Sequence, residues 1–409
     1  MSEWKKVKLG DLTSVITKGT SPSNIGESFT NKGIRYIRSE MITQINYISE
    51  HGSLYISKET HDKLKRSQLK AGDILFSMAG IYLGKTAILR ECDVPANTNQ
   101  AVAIIRLNGD LCNKEYLYYF LNQEEVVRYV NQISGQAAQP NINLKQISNI
   151  EIDIPNKNIQ YCIATILSRY DSLIENYQKQ IKLLEESAQR LYKEWFIDLR
   201  FPGHENTKIV DGVPEGWEKK KLGDVSKTTS GGTPSRINNS FYLGSIMWVK
   251  TKELCDGFIF NTEEKITEEA IKKSSAKIVP AGSILMAMYG ATIGKLGVAT
   301  KDLTCNQACC VFLISEDNSL RWYIFNWLLQ NRKFLISKGK GVAQPNLNQD
   351  MIKGLELIIP DEKSLRGYHL LINPIYLNIK SLQSQICQLT EARDRLLPKL
   401  ISGEIKIQY

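Results

Sequence analysis

Short apolar runs rich in β-forming residues recur along the chain, among them DILFSMA (73–79), AVAIIRL (101–107), SILMAMY (283–289) and CCVFLIS (309–315). Gly, Asn and Asp separate them, and that alternation of apolar run and turn former predicts strands joined by tight turns. Elsewhere the period changes. KEYLYYFLNQEEVVRYV (114–130) and SLRWYIFNWLLQNRKFL (319–335) space apolar residues three and four apart, which predicts helices. Each series closes with a short strand ending in proline, IEIDIP (150–155) and LELIIP (355–360).

Beyond each proline the pattern becomes heptad. Ile163, Tyr170, Tyr177, Leu184 and Leu191 recur every seven residues, with a second row, Leu167, Ile174, Ile181, Ala188 and Trp195, four further on. Two apolar rows of this kind mark a long helix packing along another helix. The same rows return as Tyr368, Ile375, Leu382, Leu389 and Leu396, and as Ile372, Ile379, Ile386, Arg393 and Leu400, broken only at Arg393. Pro398 is expected to end the second helix early, and Asn373–Pro374 to restart it as N-cap and first helical residue. Tyr177, Leu184, Leu191, Leu382 and Leu389 are the expected helix-pair seam. The competing arrangement lays each helix on its own domain's core.

The chain also says everything twice. WKKVKLGDL (4–12) returns as WEKKKLGDV (217–225), shifted by 213, and YIRSEM (36–41) as WVKTKEL (248–254), shifted by 212. AGDILFSMAGIYLGK (71–85) returns as AGSILMAMYGATIGK (281–295), shifted by 210, with eight of fifteen residues identical. NQA (99–101) returns at 306–308, and AQPNIN (138–143) as AQPNLN (343–348), shifted by 207 and 205. Five matches in one order, with a steadily falling shift, mean two diverged copies of one domain. The polar linker FPGHENTKIVDGVPEGW (201–217) separates them.

The expected fold class is therefore α+β: two similar mixed α/β domains separated by two long helices forming an antiparallel coiled-coil-like pair, a pseudo-two-fold internal repeat. The expected boundaries are 1–155 for the first domain, 156–200 for the first spacer helix, 201–360 for linker and second domain, and 361–409 for the second helix and tail.

Composition narrows the function. With 409 residues, 42% of them apolar, the chain can build several cores. No signal peptide or membrane-length apolar run is evident, so a soluble, cytoplasmic protein without membrane contact is expected. Eight cysteines form no CxxC; Cys305, Cys309 and Cys310 fall in a strand and read as core residues rather than metal ligands. The formal charge of +9 points to an acidic partner.

Three catalytic patterns fail on inspection. AGIYLGKT (79–86) ends like a phosphate-cradling loop, but its GxxxGKT is one residue short, and the second copy replaces the hydroxyl with Leu296. What both copies keep, Gly80, Gly84 and Lys85 against Gly290, Gly294 and Lys295, suits a tight turn with a cation at its tip. NPIY (373–376) resembles the NPPY-type tetrapeptide of adenine-N6 DNA methyltransferases, yet no glycine-rich cofactor loop precedes it. Histidines occur only at 51, 61, 204 and 369, none at metal-ligand spacing, and no GxSxG is present.

A duplicated domain, basic charge, cation-bearing turns and helical spacers fit a bivalent reader of double-stranded DNA. A first helix from Ile159 to Phe196 would span about 57 Å at about 1.5 Å per residue. The copies diverge most in 24–70 against 236–280, so the expected target is split and asymmetric. Lys85 and Lys295 are the first candidate contacts, to phosphate or guanine, with Gly80, Gly84, Gly290 and Gly294 allowing close backbone approach. Arg38, Ser39, Lys250 and Thr251 follow the YIR and WVK strands and form the second set. Lys65, Arg66, Lys272 and Lys273 lie in the diverged segments. Gln139, Asn141, Gln344 and Asn346 either bond bases or close turns.

This arrangement resembles the specificity subunits of type I restriction–modification systems over essentially the whole chain. The paired openings, KGTSPS and GGTPSR, the two GxxxGK turns, GQAAQPNINL and GVAQPNLNQD, and the terminal RLLPKLISGEI carry the resemblance. It implies two target-recognition domains, each followed by a long helix, and a chain with no catalytic residues, metal or cofactor of its own. It also implies assembly with two methyltransferase subunits carrying S-adenosylmethionine, docked on the outer helix faces, and with restriction/translocase subunits using ATP and Mg²⁺. The sequence departs from that pattern at Arg393 and around Asn373–Pro374. A duplicated scaffold joining proteins without touching DNA is the alternative of another class, and a DNA methyltransferase acting alone is the third.

Overall fold

The computed structural model describes residues 4–43, 46, 48–50, 52–109, 111–135, 140–338 and 346–407. Contacts divide the chain into two units, residues 1–176 with 388–409, and residues 177–387. Each unit therefore holds one repeat of the domain and one end of each long helix.

In the first unit a four-stranded antiparallel sheet has the order Thr13–Lys18, Val102–Leu107, Ile74–Ser77, Thr86–Ile88. Ile74–Ser77 is buried along its whole length, because both faces of the sheet are covered. Ile74 and Phe76 point to a cluster with Tyr116, Leu117 and Phe120 of helix Lys114–Leu121. Leu75 points the other way, with Ala87 and Ile104, toward Ile37 and Met41. The two-residue period thus divides one apolar run between two cores. Each such residue contributes roughly 1.5–3 kcal/mol over leaving it in water. A second sheet, ordered Leu54–Ile56, Ile34–Ile37, Ala96–Thr98, Gln68–Leu69, contains a parallel pair, Ile34–Ile37 with Ala96–Thr98.

The second unit repeats the plan. Its main sheet runs Lys227–Ser230, Cys309–Leu313, Ile284–Ala287, Leu296–Ala299, Gly257–Ile259, and Ile246–Val249 pairs in parallel with Thr304–Cys305. Ile284 and Met286 face the cluster of Trp322 and Phe325, while Leu285 and Ala287 face Met247, Cys305 and Cys309. In both units the opening strand pairs with the closing one: Lys5–Lys8 with Glu151–Ile154, and Glu218–Lys221 with Glu356–Ile359.

Two helices of 40 residues follow the closing strands, Lys157–Phe196 and Glu362–Ile401. The row Leu167, Ile174, Ile181, Ala188 and Trp195 is buried throughout. The other row is buried at Ile163 and half-buried at Tyr170, Tyr177, Leu184 and Leu191. Leu382 is buried and Leu389 half-buried. In the first unit Ile163, Leu167, Leu400 and Ile401 join the domain cluster around Tyr116. In the second, Tyr192, Trp195, Tyr368 and Tyr376 join the cluster around Trp322, with Phe196 edge-on to Tyr368 at 4.7 Å. Both helices therefore lie on domain cores while also touching each other.

Two sequence expectations are corrected here. Pro398 does not end the second helix, which continues to Ile401, and Asn373–Pro374 does not restart it. Each proline removes one N–H, leaving the carbonyls of Leu370 and Asp394 without a helical partner. Both of those residues are exposed, so water can take the bond. Asn373 caps nothing; its side chain accepts a hydrogen bond from Trp322 Nε1 at 2.8 Å. Arg393, the break in the seam, pairs with Asp171 at 2.6 Å, each side chain only 12% exposed. No described helix is long and apolar enough to cross a membrane.

Candidate nucleic-acid interface

The repeated motifs, scattered in sequence, meet at one end of the main sheet in each unit. In the first, Met78 N–H donates to Ala101 O at 2.8 Å and Met78 O accepts from Ile142 N at 3.0 Å, so the NQA and PNIN segments flank the strand end. In the second, Met288 N–H donates to Ala308 O and Leu347 N–H to Met288 O, both at 2.9 Å. Asn99 and Asn306 close identical turns, each side-chain oxygen accepting the N–H of Ala101 or Ala308 at 3.2 Å. The KGTSPS and GGTPSR segments lie against the same ends. A Cβ on Gly19 would sit 2.0 Å from Thr98 O, and one on Gly231 would sit 1.9 Å from Cys305 O. Only glycine fits at either position.

The GxxxGK turns complete each cluster. Ser77 N–H donates to Lys85 O at 2.8 Å, and Gly84 N–H to Ser77 O at 2.9 Å; Ala287, Lys295 and Gly294 repeat both bonds at 2.9 Å. Gly80, Gly84, Gly290 and Gly294 have φ of +68°, +84°, +81° and +76°, the left-handed region the turn requires. Gly80 N–H donates to Pro140 O at 2.9 Å, tying the first turn to the proline–asparagine segment.

The two lysines differ. Lys85 Nζ stands 4.9 Å from the Tyr82 ring centroid and makes no ion pair among the described residues. Lys295 Nζ is held by Asp256 at 2.7 Å, and Asp256 also binds Arg332, whose Nη1 is 3.1 Å from Oδ2. The Arg332 Nε–H donates to Gly294 O at 2.9 Å, clamping the turn. Where Arg332 packs on Gly294, the first copy has Val127 and Val130 packed on Gly84.

Lys250 is likewise committed. Its ammonium contacts Glu263 at 2.7 Å and Glu264 at 2.8 Å. Lys250 and Lys252 together hold the Glu263 carboxyl down to about 2. Arg38 is half-buried and paired with Glu40 at 2.9 Å, its Nε without a partner. Ser39 and Thr251 begin short 3-10 turns directly after the strands, as their order in sequence implies. Lys65, Arg66, Lys272 and Lys273 are exposed; Arg66 donates to Thr20 Oγ1 at 3.1 Å, and Lys273 pairs with Glu269 at 2.7 Å. Asn141 and Asn346 are exposed beside the turns, bridging Ala79 and Tyr289. Gln139 and Gln344 lie outside the described residues.

In the first unit the turn also borders an open groove of about 1650 Å³, walled by Glu124–Arg128 and by Leu397–Lys399. Its charged lining carries both signs, Arg128 and Lys399 against Glu124 and Glu404. Among the described residues no group of His, Cys, Asp and Glu has the arrangement of a metal site. Cys305, Cys309 and Cys310 are buried, and burial pushes the Cys310 thiol up to about 12. Sequence reasoning missed Asp256 and Arg332, which fall in a diverged segment and a helix start. It also passed over Asn99 and Asn306, although the recurrence of NQA carried the signal.

The architecture is that of a duplicated α/β reader domain with linked helices, and comparison with known proteins agrees. The chain matches the family described as type I restriction modification DNA specificity domain over residues 1–186 and again over 214–364, and it belongs to that family. It is similar to the MjaIX specificity subunit of Methanocaldococcus jannaschii, a type I restriction enzyme subunit, at 29% identity over 418 residues, covering 99% of this chain and 94% of that one. It is 24% identical over 478 residues to the HindI specificity subunit of Haemophilus influenzae, covering 99% of this chain and all of the relative. The crystal structure of a type I restriction–modification S subunit from M. genitalium shares the fold, with a TM-score of 0.59 at 16% identity, over 97% of this chain and 96% of that one.

Proposed function

We propose that each unit reads DNA with its loop cluster, and that the two together recognise an asymmetric target made of two separate parts. The observation that carries this reading is the convergence, in both copies, of four repeated segments on one exposed end of the sheet. Repetition there preserves a backbone frame, while the diverged segments beside it supply different readings. The chain supplies the address. Methyl transfer with S-adenosylmethionine, and ATP- and Mg²⁺-dependent translocation and cleavage, belong to two methyltransferase subunits and to restriction subunits that assemble with it in the cytoplasm.

The long helices form the antiparallel coiled-coil-like frame of that assembly. In support, their contacts run in opposite chain order: Asp171 meets Arg393, and Trp195 meets Tyr368 at 5.9 Å. Their outer faces leave Leu183, Leu370, Leu371 and Leu377 more than half exposed, a surface suited to docking the methyltransferase subunits. The same leucines also favour the scaffold reading, so DNA binding is the property to test.

The test is the salt dependence of duplex binding by the full chain and by single lysine variants. Lys85→Ala should lower affinity across sequences and flatten the slope of log affinity on log salt by about one. Lys295→Ala should flatten the slope less than Lys85→Ala does, because Lys295 is tied to the carboxylate of Asp256, which it shares with Arg332. Salt-insensitive or absent duplex binding by the unaltered chain would leave the scaffold standing.

A further inference from the structure

The two most exposed large apolar side chains among the described residues are Ile237, at 97%, and Ile81, at 88%. One falls in each unit: Ile81 stands in the loop cluster of the first, and Ile237 in the turn that continues from the GGTPSR segment of the second. Ile81 follows Gly80 in the GIYLGK turn, and Ile237 directly follows the GGTPSR segment. Neither is loosely held. Leu83 N–H donates to Gly80 O at 3.0 Å and turns its own side chain into the core, which leaves Ile81 pointing out of a locked hairpin. Beside Ile237, the Arg236 guanidinium is fixed by Glu264 at 2.7 Å and by the Tyr242 ring at 4.1 Å. An isoleucine on a rigid tip costs little ordering when it is buried, and gains the full burial of its surface.

The tips occupy different places in the repeat. Opposite Ile81 the second copy has Ala291, and opposite Ile237 the first copy has Ile25, which is 40% exposed. We propose, on the reading that these clusters bind DNA, that Ile81 and Ile237 are the apolar base contacts of the two domains, each seated against the 5-methyl group of a thymine in the major groove. That methyl is the apolar feature the major groove presents, whereas a cation directed at phosphate carries no sequence information itself. Because the tips sit on different loops, the thymine falls at a different offset in each part of the target.

The test uses the full chain and a randomised duplex pool. The unaltered chain should enrich sequences with a fixed thymine in each part. Deoxyuridine at either position removes only the methyl and should lower affinity about four-fold. Ile81→Ala should lower affinity about ten-fold, relax the position in one part, and make the uridine swap neutral there alone; Ile237→Ala should do the same in the other. Both changes are on the surface and should leave thermal unfolding unaltered. If the unaltered chain binds duplex DNA in a salt-sensitive way but ignores every uridine swap, the tip assignment falls and DNA reading survives. The tip assignment falls equally if both variants enrich the parental sequence with parental affinity, which would give the tips to a protein contact. No enrichment by the unaltered chain brings down the DNA reading and the tips with it.

Discussion

The two copies build the same joint between domain and long helix from exchanged parts. In the first, the Tyr119 hydroxyl on the domain helix donates to Asp171 on the long helix at 2.6 Å. In the second, the tyrosine has moved to the long helix: the Tyr376 hydroxyl donates to Asn326 on the domain helix at 2.9 Å. One turn earlier on each domain helix, Tyr116 donates to Asp153 O and Tyr323 to Ile358 O, which fixes the two helices as equivalents. The partner of the swap follows. Asp171 brings a charge, and Arg393 answers it; the residue in the position equivalent to Arg393 is Ala188, fully buried against an uncharged joint. A backbone carbonyl anchors the frame, and the side-chain pair around it is free to change only as a pair.

The turns teach the same lesson with the opposite outcome. Here the second copy carries the added charges, Asp256 and Arg332, and Asp256, shared between the two cations, holds the lysine that the first copy leaves unpaired among the described residues. Two matching turn backbones therefore present one lysine without an ion pair among the described residues and one tied to a shared carboxylate.

The sharpest way to break the joint comparison is Arg393→Ala. It strands a carboxylate that is 12% exposed, and should cost about 3 kcal/mol, read as a lower denaturant midpoint. Replacing Asp171 as well, by leucine, should recover most of that loss. For the turns, Asp256→Asn should keep an acceptor for the Leu296 N–H, now 3.0 Å from Oδ1, while releasing Lys295 and Arg332 from their shared charge. Duplex affinity should then rise several-fold at low salt, and the salt slope steepen by about one. If the slope stays where it is, the difference between the two turns has no bearing on DNA. The smallest effect is in acid. Glu263 is held down to about 2 by Lys250 and Lys252, below its ordinary value of 4.5. The unfolded chain takes up that proton first, so the contribution is present above about pH 4.5 and fades as pH falls toward 2. Glu263→Gln should lower Tm slightly at pH 6 and not at all near pH 2, slightly because the pair is exposed and screened.

Much of this molecule was legible before its structure. The strands at 74–77 and 284–287 follow from continuous apolar runs between turn formers and both long helices from a period of seven, because burial on two faces or along a seam leaves a local signature. Pro398 and Asn373–Pro374 misled, since a helix tolerates a proline more readily where water can take the orphaned carbonyl, and the exposure of Leu370 and Asp394 is a tertiary property. The candidate cations were legible as positions but not as charges. Lys295 and Lys250 look free in sequence, and the carboxylates that occupy them, Asp256 and Glu264, lie 39 and 14 residues away, across turns that no local pattern ties together.

Each domain's first strand is zipped to its last, Lys5 against Ile154 and Glu218 against Ile359. A domain so closed hands the chain to its long helix beside the point where the chain came in, so residues added or lost within the domain leave the start of the helix in place. That is how the spacing between copies can slide from 213 to 205 along the chain while both 40-residue helices keep step.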